Sequence, residues 1–477
     1  MLTAHLLADQ IIPYLAVDLP PNGYSPRNAD LVSCLLTSRT LHAATLSTLY
    51  NQITIPHSFI FSKFLQHVSD HPALGTVVRR LDFSHFTSVG LGRSRRDNEE
   101  IQMVTSRTLL KCLELTPHLR EFVAQEAIDD DMDAKVLDQL FCKMPQLQAI
   151  DFCAASSHNF RHAFSTVINP SNTSLPLMLA VKRLSLHECN MLPPSAFETL
   201  LPRLPKLTHL DVARTQITNS ALFSIPKTAR LSHLNLSKCS HLSGEQVVEF
   251  ITHHPAVSDH LVYLNLLTDP SRSRLLDSAD VDNLLPRLPA SLRSLNLSGA
   301  KISGRHVPLL LPLTKHLEEL SLGFADISIQ DINSLFIPKP PKGTDGDISI
   351  EEQTWVPSTL HYLDITGVAS VTLGALFSNN CVLTKSITQP LEVIELGDRV
   401  INQLKDRGVS GKRLGWVVRE IGRRGWYVRE PRKDILLADQ DRGKRPWKMG
   451  ARWWGMRKVP VVWGEVGGIY GHYMFKI

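Results

Sequence analysis

The stretch LSHLNLSKCSHLS, Leu231 to Ser243, sets leucines at 231, 234 and 236, a cysteine at 239 and a leucine at 242. A helix repeats every 3.6 residues and a strand every two, so neither alone produces this rhythm. The same rhythm returns along the chain. Clear copies centre on Leu184, Leu210, Leu264, Leu295, Leu320 and Leu363, and weaker ones on Leu81, Phe122, Ile150 and Ile394. Consecutive centres lie 24 to 43 residues apart. One unit of that size cannot bury its own apolar face, so the chain must stack its units against each other.

The L-x-L pair suits a short strand, in which alternate side chains face the same way. Its leucines point inward and the residues beside them point out. A later apolar residue then dips back into the core: Ile217, Leu242, Ile302, Ile327. Helical segments follow. SGEQVVEFITHHP places Ser243 as N-cap with Gln246 at capping-box spacing, sets Val247, Phe250 and Ile251 on one face, and stops at Pro255. PSAFETLLPRLP (194–205) and DSADVDNLLPRLP (277–289) share the ending L-L-P-R-L-P. The pattern resembles the leucine-rich repeat L-x-x-L-x-L-x-x-N/C-x-L, in its cysteine-containing or ribonuclease-inhibitor-like form. That resemblance implies an α/β solenoid over 57–400, with a parallel sheet on the concave face and helices on the convex face. Cys189 and Cys239, in the slot after the strand, are expected to be small buried residues.

Residues 1–56 have a different pattern. Leu7, Ile11, Ile12 and Leu15 form one helical stripe; Leu31, Leu35 and Leu36 begin a second; Leu41, Ala44 and Leu49 follow. A loop with Pro20, Pro21, Gly23 and Pro26 separates the first two. Three short helices bury little surface alone, so they dock on the repeats, on another protein, or on both. The order of helix stripe, loop, Asp30, Leu31, Cys34, Ser38 and Arg39, then Leu49 and Tyr50 resembles a fungal F-box ahead of leucine-rich repeats. The resemblance implies binding to the Skp-type adaptor of a cullin–RING ubiquitin ligase, with Leu7, Ile11, Leu15, Leu31, Leu35 and Tyr50 forming or supporting the adaptor surface. A helical cap shielding the first repeat is the other reading.

No nucleotide-binding, metalloprotease or nucleophile-elbow motif occurs, so no catalytic role and no cofactor is expected. His253 and His254 are adjacent and diverge by about 100° on a helix, which suits a helix end rather than a metal site. Strand alternation sends Ser185, His187, His209, Asp211, His233, Asn235, Tyr263, Asn265, Ser294, Asn296, Glu319, Ser321, Tyr362 and Asp364 to the concave face. This polar, imidazole- and tyrosine-bearing row has the character of a protein interface; a solvated sheet face is the alternative.

Charge separates the C-terminal part. The chain carries a net +5 overall, yet residues 412–458 hold 15 Lys/Arg against 5 Asp/Glu, and six of seven tryptophans lie beyond residue 411. The segment 401–477 is expected to be a β-rich, Trp-rich cap on the last repeat. Basic charge interleaved with aromatic rings also fits a nucleic-acid surface, and GKRPWK a weak nuclear address. The stretches 86–100 and 125–133 read as solvated insertions, and 337–358 as a loop. The seven cysteines form no C-x-x-C, and no apolar run reaches membrane-spanning length. A signal peptide is not expected, and cytoplasm or nucleus fits best. Together these readings point to a substrate-recognition subunit that binds an adaptor and a protein substrate. The alternatives are a repeat scaffold without a ligase link and a nucleic-acid-binding protein.

Overall fold

The computed structural model describes residues 11–12, 28–55, 57–84, 86, 104–338, 356–406, 415–421, 424–429, 464–466 and 473–475. They divide into two compact units, one over 1–230 and one opening at Leu231.

In the first unit six short strands lie in parallel register: β1 (Gln52–Thr54), β2 (Arg80–Asp82), β3 (Glu121–Gln125), β4 (Ala149–Cys153), β5 (Arg183–Ser185) and β6 (His209–Asp211). The strand centres Leu81, Phe122, Ile150, Leu184 and Leu210 pair across the sheet and are fully buried. Phenylalanine fills much of this interior. Phe61, Phe83, Phe122 and Phe152 run in sequence with ring centroids 5.9, 5.9 and 6.2 Å apart, within the range where aromatic pairs attract. β1 begins the sheet inside the segment that the sequence assigned to the N-terminal module. Its copy of the rhythm, Tyr50, Ile53 and Ile55, is masked because its first slot is a tyrosine at the end of a helix.

The second unit repeats the scheme with leucine. β7 (His233–Asn235) pairs in parallel with β8 (Tyr263–Asn265), which continues through β9 (Ser294–Asn296), β10 (Glu319–Ser321), β11 (Tyr362–Asp364) and β12 (Val393–Glu395). Leu234, Leu264, Leu295, Leu320, Leu363 and Ile394 form the buried centre line. An antiparallel hairpin, β13 (Trp416–Ile421) and β14 (Arg424–Arg429), pairs with β12. Trp416 is buried there, stacked on Tyr427 at 5.3 Å and donating its indole N–H to the Thr384 carbonyl. Gly464–Val466 and Tyr473–Phe475 form a separate two-stranded pair. The remainder of the expected cap, most of 337–358 and all but Phe86 of 86–100 lie outside the described residues.

After seven of the described strands the chain turns through a left-handed corner. Ala154, Glu188 and Arg214 hold positive φ in the first unit, and Lys238, Gly299, Phe324 and Gly367 in the second. Such a conformation costs an L-residue about 1–2 kcal/mol. It recurs because it aims the corner N–H at the next coil: Ala154 donates to the His187 carbonyl at 2.7 Å, Glu188 to Ala213 at 2.8 Å, Lys238 to Leu267 at 2.8 Å and Phe324 to Thr366 at 2.7 Å. At Gly299 a side chain would also collide, since its Cβ would lie 2.2 Å from the Thr268 carbonyl oxygen.

The helices close the coils. Both copies of L-L-P-R-L-P behave alike: Pro194–Leu200 and Ser278–Leu284 each tighten into a 3₁₀ turn, Leu201–Arg203 and Leu285–Arg287. Proline has no N–H to continue the α-helical ladder, so the change of helix type falls at the same place. Gly244–His253 buries Val247, Val248, Phe250 and Ile251 as expected, but the Ser243 side chain makes no capping bond, so the expected capping box is not formed. Leu242 is only half-buried, whereas Ile217, Ile302 and Ile327 are buried. His253 closes the helix, but His254 is buried against Phe250, and its Nδ1 accepts the Ala256 N–H, which requires that nitrogen unprotonated.

The acidic stretch 125–133 is not a solvated excursion. Glu126–Asp131 form a 3₁₀ turn with Ile128 and Met132 buried beneath it. Asp129 is buried, and its Oδ2 accepts N–H bonds from Ser156 and Ser157 at 2.8 and 2.7 Å, tying this turn to the next coil. Burial, then the neighbouring Asp130 and Asp129 carboxylates, push Asp131 up to about 6 against a backbone N–H from Ser106. The folded chain therefore keeps a proton on Asp131, between about pH 4 and 6, that the unfolded chain has lost. This contribution favours folding on the acid side and is lost as pH rises through that window. Asp131→Asn is expected to flatten this slope and to add on the order of 1 kcal/mol at pH 7, read from urea titrations at pH 4.5 and 7. Leu210→Ala or Leu295→Ala should each cost about 2–5 kcal/mol in the same titrations, whereas exposed Lys301→Ala should change stability by less than about 0.5 kcal/mol.

Candidate functional site

Two surfaces collect the residues singled out by sequence. The first is built on α1 (Asn28–Leu35) and α2 (Arg39–Asn51). Ser38 caps α2 by accepting the Leu41 N–H at 3.2 Å. Ile12, Leu31 and Ala44 form a small core, with Cys34, Leu41 and Leu49 packed around it. Leu31 therefore faces inward and supports the module rather than forming its surface; Leu35 is half-buried beside it. Tyr50 is half-buried, its ring 6.0 Å from that of His67, and burial raises its hydroxyl pKa. Leu7 and Leu15 lie outside the described residues.

Ile11, one of the expected residues, is 57% exposed. On α1 the apolar groups that reach solvent are displaced by one position from the expected Leu31 and Leu35: Val32 is 49% exposed and Leu36 86%. Val32 and Leu36 are four residues apart, hence on one face of α1 and its turn, beside the buried Leu31–Leu35 stripe. Solvent-facing Val and Leu on a helix with its own core mark a contact surface. The sequence signal was present in the adjacent L-V and L-L pairs, but periodicity alone does not say which member of such a pair faces the core.

The second surface is the outward face of each sheet. In the first unit His209 and Asp211 end its two outward rows. His187, just past β5, has Nδ1 3.0 Å from Asp211 Oδ1, linking neighbouring coils. In the second unit one row holds His233, Tyr263, Ser294, Glu319, Tyr362 and Val393, and the other Asn235, Asn265, Asn296, Ser321, Asp364 and Glu395. The His233 and Tyr263 rings stack at 6.1 Å, Asn265 donates to the Tyr263 hydroxyl at 3.2 Å, and Ser321 donates to Asp364 at 2.6 Å. The Tyr362 hydroxyl donates to Glu395, a residue the sequence reading did not single out. Burial, then the Glu395 and Asp364 carboxylates, hold that hydroxyl pKa well above the usual tyrosine range. Trp426 of the hairpin packs with Tyr362 and Val393, so the outward row ends in an apolar cluster.

The row differs from an open interface in two ways. His187, His209 and Asn265 are half-buried, and the other expected partner-binding residues are buried. The strand-end acids and amides also do a structural job. Oδ1 of Asp82, Asp151, Asp211, Asn235, Asn265, Asn296 and Asp364 each accepts the backbone N–H two residues on, at 2.9 to 3.1 Å. These bonds start the turn out of these seven strands. Cys189 and Cys239 are buried and unpaired by disulfide; the Cys189 thiol donates to the Phe152 carbonyl at 3.1 Å, and burial holds its pKa well above the usual thiol range. No group of three or more His, Cys, Asp or Glu that could hold a metal occurs among the described residues, and none of their helices is long and apolar enough to cross a membrane. Asn296→Ala should cost about 1–3 kcal/mol, because it removes the acceptor of the buried Ser298 N–H. Asn296→Asp should recover most of that loss, measured by chemical denaturation.

A Leucine Rich repeat family model matches residues 203–225. Over 271 residues the chain is 31% identical to F-box protein YLR352W of Saccharomyces cerevisiae, covering 52% of this chain and 34% of that protein. The chain thus spans about a third of the length of this curated relative. Among solved structures, it resembles one from the yeast Rad7 and Elc1 complex, at 17% identity, 80% of this chain, 91% of that chain and a TM-score of 0.43. It also resembles an internalin of Listeria monocytogenes, at 16% identity, 55% and 67% coverage and a TM-score of 0.31. Residues 203–225 match a leucine-rich repeat, and the chain is similar in sequence to a yeast F-box protein.

Proposed function

We propose that this chain is a substrate-recognition subunit of a cullin–RING ubiquitin ligase, holding a Skp-type adaptor through its N-terminal helices and a protein substrate through the outward face of its repeats. The observation that carries the reading is the exposed Val32–Leu36 stripe, with exposed Ile11, on helices that have their own core. Such a stripe gives a partner helix apolar anchors without unfolding the module. The F-box name of the yeast relative supports the same role. On the repeat side, the polar groups are held by neighbouring coils, through His187–Asp211, His233–Tyr263 and Ser321–Asp364 contacts. A surface fixed in this way loses little side-chain freedom on binding. The work is recognition; chemistry belongs to the rest of the ligase.

The test is capture of a purified Skp-type adaptor by the full chain. Val32→Asp/Leu36→Asp should weaken capture by about tenfold or more with an unchanged melting temperature. Leu31→Ala should instead destabilise the module by about 2–5 kcal/mol. Absence of capture by the unaltered chain, or full capture by the double variant, rejects the ligase reading and leaves a repeat scaffold.

A further inference from the structure

We infer that the first unit carries a second docking site, separate from the sheet face and from the N-terminal helices, for an acidic peptide segment with a bulky apolar residue at its centre. The site is a groove of about 300 Å³. Met144, Pro145, Pro176, Met178 and Pro205 are among the residues that line it.

Residues 171–180 display the apolar part. Leu175 and Leu179 are buried and fix this loop, while Leu177 and Met178 between them are 82% and 74% exposed. The loop is tied at several points. Asn172 donates through Nδ2 to the Val167 carbonyl at 2.9 Å and accepts the Ser174 N–H at 3.0 Å, and Leu179 N–H donates to the Arg203 carbonyl at 2.8 Å. Two large apolar side chains held in water by an anchored loop beside an apolar groove are a contact surface in waiting.

Charge identifies the occupant. Lys206 is the one charged residue lining the groove, and Lys182 follows Val181, which also lines it. The leading edges of successive strands are laddered: Gln148 N–H donates to Arg120, Lys182 to Gln148 and Thr208 to Lys182, at 2.7, 2.7 and 2.8 Å. Arg120, Gln148 and Lys182 thus occupy three consecutive coils, and Lys206 lies on the fourth. Arg120, Lys182 and Lys206 are exposed, and none has a carboxylate within ion-pair distance among the described residues. Lys143 nearby is different, since Asp138 holds it at 3.0 Å. Lys206 in the groove, Lys182 beside it and Arg120 two coils before Lys182, none ion-paired among the described residues, complement a segment with carboxylates flanking an apolar anchor. The groove itself favours a peptide over a nucleic acid, because its walls are mostly aliphatic and proline-rich, and Phe141, its one aromatic residue, is only 3% exposed and offers bases no stacking platform.

The test uses the full chain and a fluorescein-labelled dodecapeptide of Glu and Asp around a central Leu-Trp-Leu, read by fluorescence anisotropy. Binding is expected, and weaker at 200 mM than at 50 mM salt. Lys182→Glu/Lys206→Glu and Leu177→Ser/Met178→Ser should each weaken binding about tenfold or more, with unchanged melting temperature. Lys182→Gln/Lys206→Gln should give an intermediate loss, and Lys301→Glu, in the second unit, none. The inference is overturned if the peptide does not bind, or if charge reversal leaves its affinity unchanged. It is also overturned if a single-stranded oligonucleotide of equal charge displaces it equally well, or if Leu177→Ser/Met178→Ser abolishes a dimer seen by sedimentation. None of these variants touches the adaptor surface, so this result and the adaptor capture are read independently.

Discussion

A single coil of this chain has nowhere to put its inward strand residue except against the same residue of the next coil. That dependence sets everything else. The buried centre lines, Leu81 to Leu210 in the first unit and Leu234 to Ile394 in the second, are interiors that exist only between neighbours. Each coil must arrive in register, and the left-handed corners enforce this by spending local backbone strain on a hydrogen bond to the following coil. The early repeats look irregular because phenylalanine takes much of the interior there, so the leucine spacing loosens while the packing is kept.

The same stacking prepares the outside. Side chains beside the inward leucines stand next to their counterparts on adjacent strands, close enough to bond: His187 to Asp211, Ser321 to Asp364, Tyr362 to Glu395. The N-terminal helices solve a separate problem at smaller scale. They bury Ile12, Leu31 and Ala44 among themselves and leave Ile11, Val32 and Leu36 to water, which is the division of labour a joining module needs.

The centres of eleven coils were legible because an inward strand residue must be large and apolar, and L-x-x-L-x-L is the shortest way to write that. The twelfth, at Ile53, was not, because Tyr50 fills the first slot while still belonging to a helix. The acid run near Asp129 misled for a related reason. Its charges suggest solvent, yet Ile128 and Met132, four apart, are the residues that decide its burial, and Asp129 is compensated by two backbone N–H groups that no local pattern can announce. At the candidate site, strand alternation placed the polar rows correctly. It could not show how far neighbouring side chains bury and bond one another, nor that Glu395 and Trp426 complete the row, since those partners come from other coils. On α1, periodicity located the apolar stripes but not which of two adjacent stripes would meet solvent.

In seven of the strands the turn that follows asks for one acid or amide side-chain oxygen and nothing more. Aspartate and asparagine supply it equally well and differ by a full unit of charge. The chain uses this freedom, with aspartate at 82, 151, 211 and 364 and asparagine at 235, 265 and 296, all in the same geometry. The electrical character of the rim is therefore an independent variable. It can be rewritten one coil at a time, altering which partner is attracted and how fast it arrives, while the scaffold beneath keeps its shape.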